Sequence, residues 1–209
     1  MTETNLDVDQ FVEALESNAP RYNVTLSARA TELLRDYYQH FRRWNARLHL
    51  VAPCSPAEFA TRHVLESTLA TPFLPAGARL IDVGSGAGLP VIPCLILRSD
   101  INATLIEASQ KKAIFLREAL RIVGARERAE VVAERFEKIT APTADCVTCR
   151  ALDKFTEMFE QLVRWSMPAS ILLFFGGHNL REQIERAALT FTAIPIPDSE
   201  RRFLFRIKR

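Results

Sequence analysis

No stretch of this 209-residue chain stays apolar for the roughly 20 residues that a membrane-spanning helix needs. The opening segment "MTETNLDVDQ" is polar and acidic, with neither a basic n-region nor an apolar h-region, so no secretory signal is expected and a cytoplasmic location is the default. Charge of one sign is missing too: 27 basic residues face 25 acidic ones, a net charge of only +2. A basic field over the whole protein is thereby excluded, and any contact with a polyanion must come from local patches. Internal repeats and low-complexity segments are absent.

Cysteine is scarce. Cys54, Cys94, Cys146 and Cys149 are the four, and the last two form a CxxC. That spacing belongs to zinc sites and thiol redox pairs. Here it falls in "ADCVTCRAL", which reads as a strand, where residues three apart face opposite sides. No second Cys/His pair supplies the missing ligands of a metal, so four reduced thiols and no metal are expected.

What is present has an order. Apolar content is 48% and charged content 25%, ordinary values for a globular protein. "TPFLPAGAR", residues 71–79, breaks the helical pattern with two prolines and a glycine, which divides the chain into a helical extension over 1–75 and a second domain over 76–209. In the first part, "SARATELLRDYYQHFRRWNARLHLV" sets Ala30, Leu33, Tyr37, Phe41, Trp44 and Leu48 on one helical face behind Ser27 as N-cap. "SPAEFATRHVLESTLA" predicts a second helix, capped by Ser55 with Pro56 in its first position. A short helix near residues 9–17 precedes both.

The second part alternates strand and helix. "ARLIDVG", "NATLIEA", "AEVVAE", "DCVTCRA" and "ASILLFFGG" read as strands, separated by helical segments, and "FTAIPI" and "RRFLFRI" close the chain as two more. This pattern predicts an α/β fold with a mostly parallel sheet covered on both faces. The nearly all-apolar runs "LID", "TLIEA" and "ILLFF" agree with strands buried on both sides.

In such a sheet, ligands bind beyond the C-terminal ends of the strands. The first strand ends in "LIDVGSGAGLP", with Gly84, Gly86 and Gly88 at alternate positions. Glycine there allows positive φ and lets a ligand lie on bare backbone. No lysine follows in the P-loop position, and Leu89 stands where a dinucleotide GxGxxG would carry its third glycine. Glu107 ends the second strand 23 residues past Gly84, placed to accept hydrogen bonds from ribose hydroxyls. Asp82 adds a second acid beside the loop. Two acids suit a ligand carrying sulfonium and ammonium better than one carrying pyrophosphate, which points to S-adenosylmethionine over NAD.

These segments together resemble the bacterial ribosomal small-subunit RNA methyltransferase G family, also called glucose-inhibited division protein B. "YYQHFRRWNARLHLVAP", "RHVLEST", "DVGSGAGLPVIPCLI", "LIEASQKKAIFLRE", "ERFEKI", "CRAL" and "ERRFLFRIKR" carry the resemblance over most of the chain. It implies a class I, Rossmann-like methyltransferase fold and methyl transfer from S-adenosylmethionine to N7 of a guanine in 16S rRNA. The partner it implies is the small ribosomal subunit or its precursor, met by a monomer. Cofactor contacts are implied for Gly84, Ser85, Gly86 and Leu89, and for Glu107. Phe136 and Glu137 would flank the adenine, and Arg150 would stand at the pocket mouth, touching cofactor or RNA.

RNA contacts are expected from Arg62, His63, Arg150 and Arg201, and from the Arg-rich stripe of the 27–47 helix. Trp44, Tyr37 and Tyr38 are expected in the core rather than stacked on bases. No general base is expected, because N7 carries a lone pair and no proton. Two departures stand out: Phe175 occupies the place of a usual lysine, and His49-Leu50-Val51 replaces Asn-Leu-Thr. A non-catalytic cofactor- or RNA-binding assembly factor, a small-molecule methyltransferase and a dehydrogenase are the competing readings.

Overall fold

The computed structural model describes residues 3–150 and 155–208. Ala151 and Leu152 of the "CRAL" segment, Lys154 and Arg209 lie outside the described residues. Seven strands form one sheet: β1 (Arg79–Val83), β2 (Asn102–Ile106), β3 (Ala129–Val132), β4 (Cys146–Arg150), β5 (Ile171–Gly176), β6 (Thr190–Pro195) and β7 (Phe203–Lys208). Their order is β3-β2-β1-β4-β5-β7-β6. The first five run parallel, and β7 is antiparallel to both β5 and β6.

The chain moves outward from β1 to β3, then returns to lay β4 on the other side of β1. That reversal opens a crevice above the C-terminal ends of β1 and β4, where ligands of open parallel sheets bind.

The helices are α1 (Glu3–Asn18), α2 (Ala28–Leu48), α3 over residues 56–68, α4 (Val91–Leu97), α5 (Gln110–Ile122), α6 (Phe155–Trp165) and α7 (His178–Arg186). Strand alternation sorts them into two layers. Leu80, Leu105, Cys146 and Leu173 face α1–α5, while Ile81, Ile106, Cys149 and Leu172 face α6 and α7. Cys146 and Cys149 therefore point to opposite faces, both as reduced thiols. Burial raises the Cys146 thiol to about 12, which keeps it protonated and unreactive.

Local chemistry explains the helix boundaries. The Ser27 side chain accepts from the Ala30 amide at 3.1 Å, and Ser55 accepts from the Glu58 amide at 3.1 Å. Gly124 takes φ +67° just after α5, where a residue with Cβ would be strained. The buried face of α2 is turned slightly from the sequence expectation: Leu34 is fully buried and Leu33 only half-buried, because Leu34 falls between Ala30 and Tyr37 on the side facing the sheet. The first helix is also longer than expected, starting at Glu3.

The larger correction concerns α3. Sequence periodicity predicts one regular α-helix; the structure has an α-helical turn at Pro56–Glu58, a π-helical stretch at Phe59–Leu65 and an α-helical turn at Glu66–Thr68. A π stretch inside a helix widens its turn and is frequent at functional sites.

Candidate active site

The glycine loop follows β1. Gly84, Gly86 and Gly88 have φ of +73°, +49° and +82°, so each uses the left-handed region that glycine enters without strain. Gly88 also has no room for a side chain: a Cβ there would come within 2.8 Å of Ile92 Cγ1. At Gly86 the nearest atom to such a Cβ is the Gly84 carbonyl, 3.7 Å away. Close packing thus constrains Gly88, whereas Gly86 presents open backbone.

Glu107, the last residue before the β2–α5 turn, closes the loop from the other side. Its Oε2 accepts from the Gly86 amide at 2.8 Å, and its Oε1 accepts from the Ser109 amide at 2.8 Å. Each carboxylate oxygen keeps a second lone pair free for a further donor. Ser85 is buried and donates its hydroxyl to the Asp82 carbonyl at 3.0 Å.

Asp82 lies beneath the loop, 1% exposed. Its Oδ1 accepts from the Thr148 hydroxyl at 2.7 Å, while Oδ2 is buried and has no hydrogen-bond partner among the described residues. Burial pushes its carboxyl up to about 7, and the Thr148 hydroxyl offsets only part of that.

A cavity of about 530 Å³ opens over these residues. Gly84, Ser85, Gly86, Leu89, Glu107 and Arg150 all line it, and so does His63. Lys112, at the start of α5, and His49, Leu50 and Val51, just after α2, complete the wall. The departure His49-Leu50-Val51 thus lies on the cavity rim. His49 is the αL cap of α2, and the Asn45 side chain accepts from the Val51 amide at 3.0 Å, which fixes the turn.

Arg150 enters this wall from the end of β4. Its guanidinium donates to the Arg62 carbonyl at 2.6 Å, and to the His63 carbonyl and Ser67 hydroxyl at 3.2 Å each. It also pairs with Glu66 at 3.3 Å. Glu66 is 3% exposed and holds Arg202 of the β7 entry with its other oxygen. One buried carboxylate between two guanidiniums therefore ties α3, β4 and the approach to β7 together. Burial pushes the Glu66 carboxyl up, and the two arginines pull it back.

Phe175, which the resemblance sets at the place of a usual lysine, is paired with Arg150 across β4 and β5. The Arg150 guanidinium carbon lies 5.7 Å from the Phe175 ring centroid, a cation–π distance. An aromatic ring here stabilises Arg150, where a lysine would repel it.

The remaining expected residues lie elsewhere. Phe136 is buried against Trp165 on the α6 and α7 side, with ring centroids 5.5 Å apart, and Glu137 is exposed beside it. Neither lines the cavity. Arg62 is exposed and ion-paired with Glu58, and Arg201 is exposed near the start of β7. Tyr37 and Tyr38 are core residues. Trp44 packs edge-on against Phe115 and donates to Glu118 at 3.2 Å. Of the α2 arginines, Arg29, Arg35 and Arg42 have carboxylate partners in Glu32, Asp36 and Asp7, while Arg43 and Arg47 are exposed.

Glu66 and Arg202 were not singled out by the sequence, although both stand in quoted motifs. A glutamate followed by serine gives no sign that it will be buried between two arginines from distant segments.

A ribosomal RNA small subunit methyltransferase G from Sorangium cellulosum is 35% identical over 172 residues, covering 79% of this chain and 72% of the relative. One from Xanthomonas campestris pv. campestris is 40% identical over 156 residues, covering 74% of this chain and 72% of the relative. Among solved structures, a SAM-dependent methyltransferase from Aquifex aeolicus superposes with a TM-score of 0.58 at 16% identity, covering 74% of this chain and 94% of its own. That likeness establishes the fold as a Rossmann-like methyltransferase fold. The family described as rRNA small subunit methyltransferase G matches residues 30–197, and with this span and these identities the chain belongs to that family.

Proposed function

We propose that the chain transfers a methyl group from S-adenosylmethionine to N7 of a guanine in 16S rRNA, on the small ribosomal subunit or its precursor. Family membership supports the reaction class. The observation that carries the cofactor is Glu107, whose carboxylate grips the Gly86 and Ser109 amides and keeps lone pairs for two hydroxyl donors. Its cavity, about 530 Å³, falls within the roughly 300–1,000 Å³ of small-molecule pockets. Asp82 Oδ2, buried without a partner under the loop, supplies the latent negative charge that a sulfonium and an ammonium require.

Bound there, S-adenosylmethionine supplies a methyl carbon on a sulfonium, and its transfer to N7 leaves a thioether and a purine cation with no proton to remove. In this reading the residues of the chain position and exclude water rather than exchange protons. Gly84, Ser85, Gly86 and Leu89 seat the methionine end, and Glu107 holds the ribose. The adenine extends from Glu107 toward the turn after β3, where Phe136 and Glu137 stand just outside the cavity wall. Arg150 contributes by locking α3 against β4 at the cavity wall. The RNA is held by the helical extension over 1–75, where Arg43, Arg47 and Arg62 are exposed, together with Arg201.

Calorimetry with S-adenosylmethionine, followed by methyl transfer to small subunits from cells lacking this chain and N7-specific strand cleavage, tests the reading. Saturable cofactor binding and a single cleavage at a guanine are expected. Binding without transfer would leave a cofactor-binding assembly factor, and transfer only to small molecules would overturn the RNA assignment.

A further inference from the structure

His63 lines the cavity and is not among the residues assigned above to seat the cofactor. It lies in the π-helical stretch of α3 and lines the same cavity as Gly84, Gly86, Leu89 and Glu107. Phe59 lies against its ring, centroids 5.3 Å apart, and Arg150 Nη2 is 3.5 Å from its Nδ1. A guanidinium has donors only, so Nδ1 meets it with a lone pair and the ring proton resides on Nε2. No described residue hydrogen-bonds to Nε2, and Nε2 is not among the buried atoms that lack a partner. It is an open N–H donor on the wall of a cavity.

The imidazole also stays uncharged. Burial is the largest cause, followed by the positive charges of Arg150, Arg62 and Arg202, and together they push its pKa down to about 3. Glu66, between Arg150 and Arg202, offsets part of the local positive charge without contacting the imidazole.

We infer that the Nε2–H of His63 hydrogen-bonds to O6 of the target guanine and selects guanine over adenine; this rests on the guanine-N7 reading above. O6 and N7 share one edge of the base, so a donor on O6 presents N7 to the methyl carbon. Adenine carries an amino donor at the same position, which would leave two donors facing each other unpaired. A neutral donor suits the reaction as well, because the base gains positive charge on methylation and a protonated histidine there would oppose it. His63 is thus a specificity-determining residue and not a base.

The test uses small subunits reconstituted with 16S rRNA carrying either guanine or 2-aminopurine, which lacks O6, at the methylated position. Wild-type protein should lose about 10–100-fold in kcat/KM on 2-aminopurine. His63→Leu should show a similar loss on guanine and little further loss on 2-aminopurine, with unchanged S-adenosylmethionine affinity. His63→Gln, which keeps an N–H donor, should recover part of the activity. Multiplying penalties for the variant and the base would overturn the inference, as would equal wild-type rates on the two bases, a result that stands even if His63→Leu fails to fold. A wild-type protein that methylates no rRNA guanine would instead overturn the underlying reading.

Discussion

Tyr37 on α2 donates its hydroxyl to the carbonyl of Ala87 at 2.6 Å, so the second helix grips the glycine loop directly. The phenol is fully buried, and burial raises its pKa well above the ordinary tyrosine range, which keeps the donor protonated at any physiological pH. Tyr37→Phe should therefore cost about 0.5–1.5 kcal/mol of stability by removing one buried hydrogen bond. It should also weaken S-adenosylmethionine binding by up to about tenfold, since the loop loses a fixed anchor. Thermal melts with and without cofactor separate the two effects, and an unchanged cofactor-induced shift would count against the anchoring role.

Two of the loop's three glycines, Gly86 and Gly88, should respond differently to the same change. Gly88→Ala forces a methyl onto Ile92 at a φ of +82° and should destabilise the fold by about 1–3 kcal/mol. Gly86→Ala meets only an ordinary contact with the Gly84 carbonyl at a φ of +49° and should cost about 1 kcal/mol of strain. Its main effect should fall on cofactor affinity, measured by calorimetry. Equal loss of stability in both variants would contradict the assignment.

Asp82 predicts a pH dependence of stability. Its folded pKa of about 7 lies above the ordinary carboxylate value, so its contribution to stability is complete below about pH 4 and is lost as pH rises toward 7. Asp82→Asn has no such loss. The melting temperature of the variant relative to wild type should therefore shift in the variant's favour between pH 5 and 8, without cofactor. A constant difference across that range would mean that Asp82 is ionised throughout.

Glu66→Gln should be the most damaging of these changes. It leaves Arg150, whose side chain is 12% exposed, and the part-exposed Arg202 without their shared carboxylate, and breaking a buried pair costs up to about 3–5 kcal/mol. Denaturant unfolding should show that loss, and methyl transfer should fall with it as α3 loosens from β4. A loss under 1 kcal/mol, the scale of an exposed pair, would show the cluster to be solvated.

Much of the architecture is legible in the residues. The runs "LID", "TLIE" and "ILLFF" mark strands buried on both faces, and Ser27, Ser55 and Gly124 mark helix ends that the structure keeps. The spacing from Gly84 to Glu107 already implied a carboxylate facing the loop, and the structure joins Glu107 to Gly86. Other features depend on contacts between distant segments. The π stretch at Phe59–Leu65 has no local signature, because its residues suit an α-helix equally well. It coincides with carbonyls at Arg62 and His63 that accept from Arg150, a partner 88 and 87 residues away. The confinement of Arg150 by Glu66 is hidden for the same reason. Motif position gives Arg150 a place on the ligand side but does not say that both of its Nη groups already have partners.

One cluster of apolar contacts runs without a break from Phe11 and Tyr37 through Phe59 and Leu65 to Leu89, Leu105 and Leu204. The proline-containing segment at 71–79 is no joint in it, since Leu74 and Ala78 are members. The helices before the sheet thus share one continuous core with it, and the cavity wall they build is packed against the strands. On the proposed reading, a wall packed this way leaves the unstacking of the target base to the RNA, so the timing of modification would follow how the ribosomal particle folds.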